Sequence, residues 1–106
     1  MTLRIRQIVF AAHDLAATVT RFENELGLQV AYRDPLIVEF GLHNALLPIG
    51  DQFVEVVSPI RENTAAGRHL GLHGDSAYML MLQTDDLDRD RARLERLGVR
   101  VIWKAD

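Results

Sequence analysis

The chain contains no cysteine, which excludes disulfides, thiolate metal centres and cysteine nucleophiles and suits a reducing compartment. It has no surplus of basic charge either. The formal net charge is -3, so no positive footprint for nucleic acid is present. The opening stretch "MTLRIRQIVFAAHDL" has no long apolar run followed by a small-residue cleavage site, and no window reaches the length of a membrane span. A cytoplasmic location without membrane or nucleic-acid partners is the expectation. No glycine-rich phosphate loop or dinucleotide fingerprint follows a strand, and no Ser-His-Asp arrangement can be argued from spacing. What remains is 106 residues, 48% hydrophobic and 25% charged, the ordinary composition of one globular domain with a real but modest core.

Periodicity divides the chain into elements. "LRIRQIVFAA" (Leu3 to Ala12) reads as a strand. In "HDLAATVTRFENELG", Leu15, Val19, Phe22 and Leu26 recur at helical spacing between an Asp14 N-cap and a Gly27 stop. "LQVAYR" reads as a strand broken by Asp34-Pro35. "LIVEFGL" is read as another, and "NALLPIG" as its continuation past an irregularity at His43-Asn44. Gly50-Asp51 turns the chain into "QFVEVVSP", which Pro59 ends. Residues 60–76 are polar, contain Gly67, Gly71 and Gly74, and read as a linker in which only "TAAGRHL" is weakly helical. "AYMLMLQT", "DDLDRDRARLERLG" and "VRVIWK" then read as strand, charged amphipathic helix and strand. The alternating signs of that helix suggest an exposed face with local ion pairs.

The second half repeats the first. His13-Asp14-Leu15 matches Asp85-Asp86-Leu87 at an offset of 72, and Gly27-Leu28 matches Gly98-Val99 at 71. Each copy runs strand, Asp-Leu helix start, Leu-Gly stop, strand. The expected organisation is a first β-α-β-β-β module at 1–59, a linker at 60–76 and a partial second module at 77–106, within one structural domain. The second copy lacks the last two strands of the first. A fragment of a longer protein is the preferred explanation, and a partner chain completing the sheet is the other.

One residue stands out. Glu55 sits among Phe53, Val54, Val56 and Val57, and an ionised carboxylate is costly to bury unless something pairs with it. Alternation puts Phe53, Glu55 and Val57 on one strand face, and Ile5, Gln7 and Val9 on one face of another. Taken alone, Glu55 is more often a solvent-facing residue or the partner of an arginine such as Arg4, Arg6 or Arg33.

The stretches "IRQIVFAAHDLAATVTRFENELGLQV", "FVEVVSP" and "AYMLMLQTDDLDRDRARLERLGVRV" resemble the vicinal oxygen chelate superfamily. That superfamily includes glyoxalase I, methylmalonyl-CoA epimerase, extradiol dioxygenases and bleomycin-resistance proteins. The pattern is closest to its epimerase-like and glyoxalase-like branch. The resemblance implies an α+β fold of paired β-α-β-β-β modules, the second truncated here, whose curved sheets form a cleft around a divalent metal (Zn, Ni, Co or Mn). It implies Gln7 and Glu55 as metal ligands, with Glu55 also moving a proton. By the repeat offset it places Met79 at the third ligand position. Methionine departs from the family pattern there, because a thioether is too soft for oxygen-liking ions and more often fills space beside Met81. The implied function is a metal-dependent lyase or epimerase acting on a small carbonyl or thioester compound by proton abstraction. The alternative is a metal-free protein that sequesters a small molecule, as bleomycin-resistance members do. A homodimer is the implied assembly.

Further candidates contact the ligand in this reading. His43, in "GLHNA", could line the cleft mouth. Arg68, like Arg61, carries a fork suited to a carboxylate or phosphate. Met79 and His69 complete the set. His69 and His73 have the i,i+4 spacing of helical zinc ligands, but Gly71 and Gly74 argue against a continuous helix, and the pair is read as loop residues.

Overall fold

A run of β-formers at Leu3–Ala11 becomes strand β1, and an Asp14 cap then starts helix α1, Leu15–Leu26. The Asp14 carboxylate accepts the Ala17 N–H at 3.0 Å, and Gly27, at φ 70°, closes the helix by donating its N–H to the Glu23 carbonyl. Strands β2 (Leu42–Ile49) and β3 (Gln52–Pro59) form the hairpin expected around Gly50-Asp51. After them come helix α2 (Ala65–His73), strand β4 (Ser76–Thr84) and helix α3 (Leu87–Arg96). This computed structural model describes residues 2–104.

The strands form a single sheet in the order β2-β3-β1-β4. β1 runs parallel to β3 and antiparallel to both its repeat counterpart β4 and the hairpin partner of β3. The first strands of the two modules therefore lie side by side, as the α+β paired-module fold requires. Two layers cover the sheet. On one face α1 packs Leu15 and Val19 against Ala45, Leu47 and Val56. On the other, α2 packs Ala66 and Leu70 against Val9, Ala11, Leu42 and Val57. The opposite ends of this second face carry α2 and, beyond it, the polar cluster described below.

Several expectations need correction. "LIVEFGL" is not a strand. Asp34 accepts the Leu36 N–H at 3.0 Å, Pro35 fits the first helical position, and a 3-10 helix runs over Pro35–Phe40. Gly41, at φ 72°, ends it, and a β-carbon there would come within 2.7 Å of Thr64 Cγ2. Local capping here overrides β-propensity. "LQVAYR" reduces to a single bridge, Tyr32 to Leu46. β2 runs without interruption through His43-Asn44. The segment read as a linker contains α2, whose start is set by Thr64 accepting the Gly67 N–H; the buried pair Ala66 and Leu70 anchors it despite Gly67 and Gly71. Finally, "VRVIWK" (99–104) pairs with no strand among the described residues. Trp103 instead meets Phe40 edge-on at 5.2 Å between ring centres.

Candidate functional site

Glu55 faces inward. It is 4% exposed, and so are its neighbours Gln7 (5%) and Asn44 (3%). The sheet brings them together because β3 lies between β1 and β2: Glu55 is directly opposite Val9 on one side and Leu46 on the other, with Gln7 and Asn44 two residues along each neighbouring strand and so on the same face. The Gln7 amide donates from Nε2 to Glu55 Oε1. The Asn44 amide donates from Nδ2 to Oε2 at 2.8 Å. Both carboxylate oxygens are thus held by neutral N–H donors, and among the described residues no arginine pairs with the group. Arg4, one of the expected partners, reaches Asp51 instead.

Asn44 is fixed at its other end as well. Its Oδ1 accepts the backbone N–H of Asp34 at 2.9 Å, and its own carbonyl accepts from the Arg33 guanidinium at 3.4 Å. The orientation of this amide follows from its partners: with the oxygen committed to a backbone donor, the nitrogen must face Glu55. Burial pushes the Glu55 carboxyl above its ordinary value. The hydrogen bonds from Asn44 and Gln7 work against that rise, and the negative charge of Asp34 adds to it. The outcome is a carboxyl group in an apolar strand face, poised to hold a proton more readily than one in water.

The sequence reading did not single out Asn44. The signal was available: folding "LHNALLPI" back on "QFVEVVSP" about Gly50-Asp51 alternates Leu42, Asn44 and Leu46 onto the face of Glu55. The other named residues are distributed differently. Met79 is opposite Val9 and Met81 is opposite Gln7, and β4 carries one extra residue at Tyr78 just beyond them, between the Val9–Met79 and Phe10–Ala77 pairs. The 72-residue offset relates Gln7 to Met79 and Val9 to Met81, and in the ladder these four residues pair crosswise. A second slip between Ile5 and Gln7 breaks the expected alternation of Ile5 with Gln7 and Val9. His43 is exposed and, by strand alternation, lies on the face opposite Asn44. Arg68 is on α2 and donates to the Asn63 side chain at 3.2 Å. His69, also on α2, bonds Ser76. The structure thus brings Gln7, Glu55 and Asn44 together, with the methionines of β4 alongside, and leaves His43, Arg68 and His69 apart from them. Two grooves of about 320 and 420 Å³ lie along α1 and α3, away from Glu55.

A divalent metal is the cofactor the resemblance implies, and the donor set does not fit one. No group of three or more His, Cys, Asp or Glu side chains is placed to hold a metal among the described residues. Glu55 presents both oxygens to amide protons, and the residue across from Gln7 is a thioether, not a hard donor.

Residues 8–105 match the profile of the glyoxalase-like domain. The chain belongs to the glyoxalase-like family, within the vicinal oxygen chelate superfamily. Solved structures agree. This glyoxalase-like domain is 32% identical to a variant of Streptomyces coelicolor methylmalonyl-CoA epimerase in complex with 2-nitronate-propionyl-CoA, over 94% of this chain and 73% of that one, at a TM-score of 0.87. It is 31% identical to a methylmalonyl-CoA epimerase in complex with methylmalonyl-CoA and ammonium, over 97% and 75% of the two chains, at 0.89. The Mycobacterium tuberculosis methylmalonyl-CoA epimerase shares the fold at 21% identity, over 95% and 68%, with a TM-score of 0.86. No curated protein matches the chain.

Proposed function

We propose that the face bearing Glu55 is a small-molecule site of the epimerase type, acting on an acyl thioester such as a coenzyme A derivative. The observation that carries this reading is a buried, amide-clasped carboxyl group with a raised pKa in a fold whose relatives, at 31–32% identity, hold methylmalonyl-CoA or a nitronate analogue. A hydrogen on the carbon next to a thioester carbonyl is acidic because the electron pair it leaves behind moves onto the carbonyl oxygen. Glu55, ionised, accepts that proton. Its raised basicity makes it a better acceptor than a carboxylate in water, while keeping the proton available for return. Gln7 and Asn44 orient the carboxylate. Each amide nitrogen carries a second N–H, suited to the enolate oxygen that forms as the proton leaves.

The same geometry supports a second reading, sequestration without chemistry. Both Glu55 oxygens are already occupied, and the exposed thioethers of Met79 and Met81 give an adaptable apolar surface beside them.

Proton exchange separates the two. Methylmalonyl-CoA incubated with the protein in D₂O should lose its α-proton NMR signal faster than in buffer, and Glu55→Gln should remove the acceleration. Saturable binding with no exchange above background would leave sequestration and eliminate the epimerase reading.

A further inference from the structure

His69 and His73 belong to none of this chemistry, and the structure changes what their spacing means. Helix α2 runs unbroken through Gly71 to His73, so the two imidazoles share one helical face, with ring centres 4.9 Å apart and planes inclined by 46°. Two imidazoles bound to one ion at a metal–nitrogen distance of about 2.1 Å, with an angle near 90–110° at the metal, would have ring centres roughly 4.5–5.2 Å apart. The observed spacing falls in that range.

The hydrogen bonds around His69 determine which nitrogen is open. Ser76 Oγ donates its one proton to the Gly74 carbonyl at 3.0 Å. With that proton on Gly74, the 2.8 Å contact with His69 Nε2 is one in which the imidazole donates. No described residue hydrogen-bonds Nδ1, which is then the nitrogen open to a ligand. Tyr78 holds the other side of the ring, at 4.9 Å between centres. An imidazole whose second nitrogen donates to an outer partner is the usual arrangement of a metal-ligating histidine. His73 is exposed, and no described residue hydrogen-bonds its ring. It also lies in the last turn of α2, where the helix dipole favours positive charge.

We propose that His69 and His73 form a two-histidine site for a borderline divalent cation of the Zn²⁺, Ni²⁺ or Cu²⁺ class, on the flank of α2 that meets the start of β4 and separate from Glu55. With two protein ligands, the remaining coordination positions are filled by water or by a donor atom of a bound molecule. Affinity should follow the order set by nitrogen ligands, with Cu²⁺ held most tightly.

The test uses untagged protein titrated with Zn²⁺, Ni²⁺ and Cu²⁺ separately at neutral pH, followed by calorimetry and by the imidazole signals in NMR. Saturation at one ion per chain is expected, with the His69 and His73 ring signals moving together. His73→Ala, at an exposed position, should keep the fold and lower affinity at least about tenfold. Ser76→Ala should lower it by roughly tenfold or more, as loss of an outer-sphere partner does. Glu55→Gln should leave binding unchanged. No saturable binding would overturn the site, as would binding that survives His73→Ala or is lost in Glu55→Gln. Neither result depends on whether the protein exchanges the α-proton of a thioester.

Discussion

The two halves of this chain share one sequence pattern and bury it to different degrees. Every residue of the apolar core, from Val9 to Leu70, precedes β4. In β4 the apolar residues Met79, Leu80, Met81 and Leu82 are all 37–57% exposed, and α3 buries no residue at all. The first copy of the strand-helix unit is covered on both faces, by α1 and α2. The second is held mainly by one edge, through its ladder with β1, with α2 reaching it at Ser76 and Tyr78. Amphipathic pattern is therefore not burial: the same Asp-Leu start and Leu-Gly stop produce a packed helix at α1 and a solvent-facing one at α3. α3 is maintained locally, by the Asp86 cap and the ion pairs of Arg89 with Asp85 and Asp90.

The largest expected effect comes from cutting into the covered half. Leu47 is 0% exposed in the cluster beneath α1, and Leu47→Ala should cost about 2–5 kcal/mol. Leu94→Ala, on the exposed side of α3, should change stability by less than about 0.5 kcal/mol. Urea denaturation of both variants checks the difference; comparable losses would mean that the second half is packed in solution. Next in size is Gly41→Ala. The positive φ and the close approach of Thr64 and Arg61 should together cost about 1–3 kcal/mol, whereas Gly98→Ala, at φ 79° with open space around it, should cost only the backbone strain.

A matched pair of helix caps sharpens the comparison further. Asp14 and Asp86 are equivalent in the repeat, and each accepts a backbone N–H three residues on, at 3.0 Å. Asp14→Ala should lower global stability by about 1 kcal/mol, because α1 is part of the cooperative core. Asp86→Ala should mainly fray α3. Hydrogen exchange would show it as faster exchange confined to Leu87–Arg96, with the amides of β1 and β3 unchanged.

How much of this was legible in the sequence follows the same division. The alternation of β1 and β3, the α1 caps and the hairpin about Gly50-Asp51 were readable because local signals and burial agree there. The 3-10 helix at Pro35–Phe40 was missed because "LIVEF" is β-forming by composition, and only the Asp34-Pro35 start and the Gly41 stop reveal its true state. α2 was underestimated because its glycines were weighed against it, while the burial of Ala66 and Leu70 could not be seen. At the site, alternation grouped Gln7 with Val9 and Glu55 with Val57, and it is the parallel pairing of β1 with β3 that puts both groups on one face. Asn44 was passed over because an asparagine in a strand looks like a surface residue until its hairpin is folded.

The two halves also carry carboxylates that respond to pH with opposite signs. Glu55, in the covered half, is raised from 4.5 chiefly by burial. Between 4.5 and its folded value the native state holds a proton that the unfolded chain has released, so this group's contribution to stability falls as pH rises through that window. Asp85 and Asp90, in the exposed half, are lowered from 3.8, Asp85 mainly by its hydrogen bond with Arg89 and Asp90 mainly by that with Thr84 and then Arg89. Their contribution is complete above 3.8 and is lost as pH falls through the lowered values. Melting temperature recorded against pH should therefore fall less steeply above 4.5 in Glu55→Gln than in the parent chain. Arg89→Gln should instead soften only the loss below 3.8, and by less, since Asp85 and Arg89 are open to screening by solvent. A Glu55→Gln profile that tracks the parent above 4.5 would mean that the carboxyl titrates as it does in water, and the buried, amide-clasped state of Glu55 would have to be abandoned along with the proton-transfer role built on it.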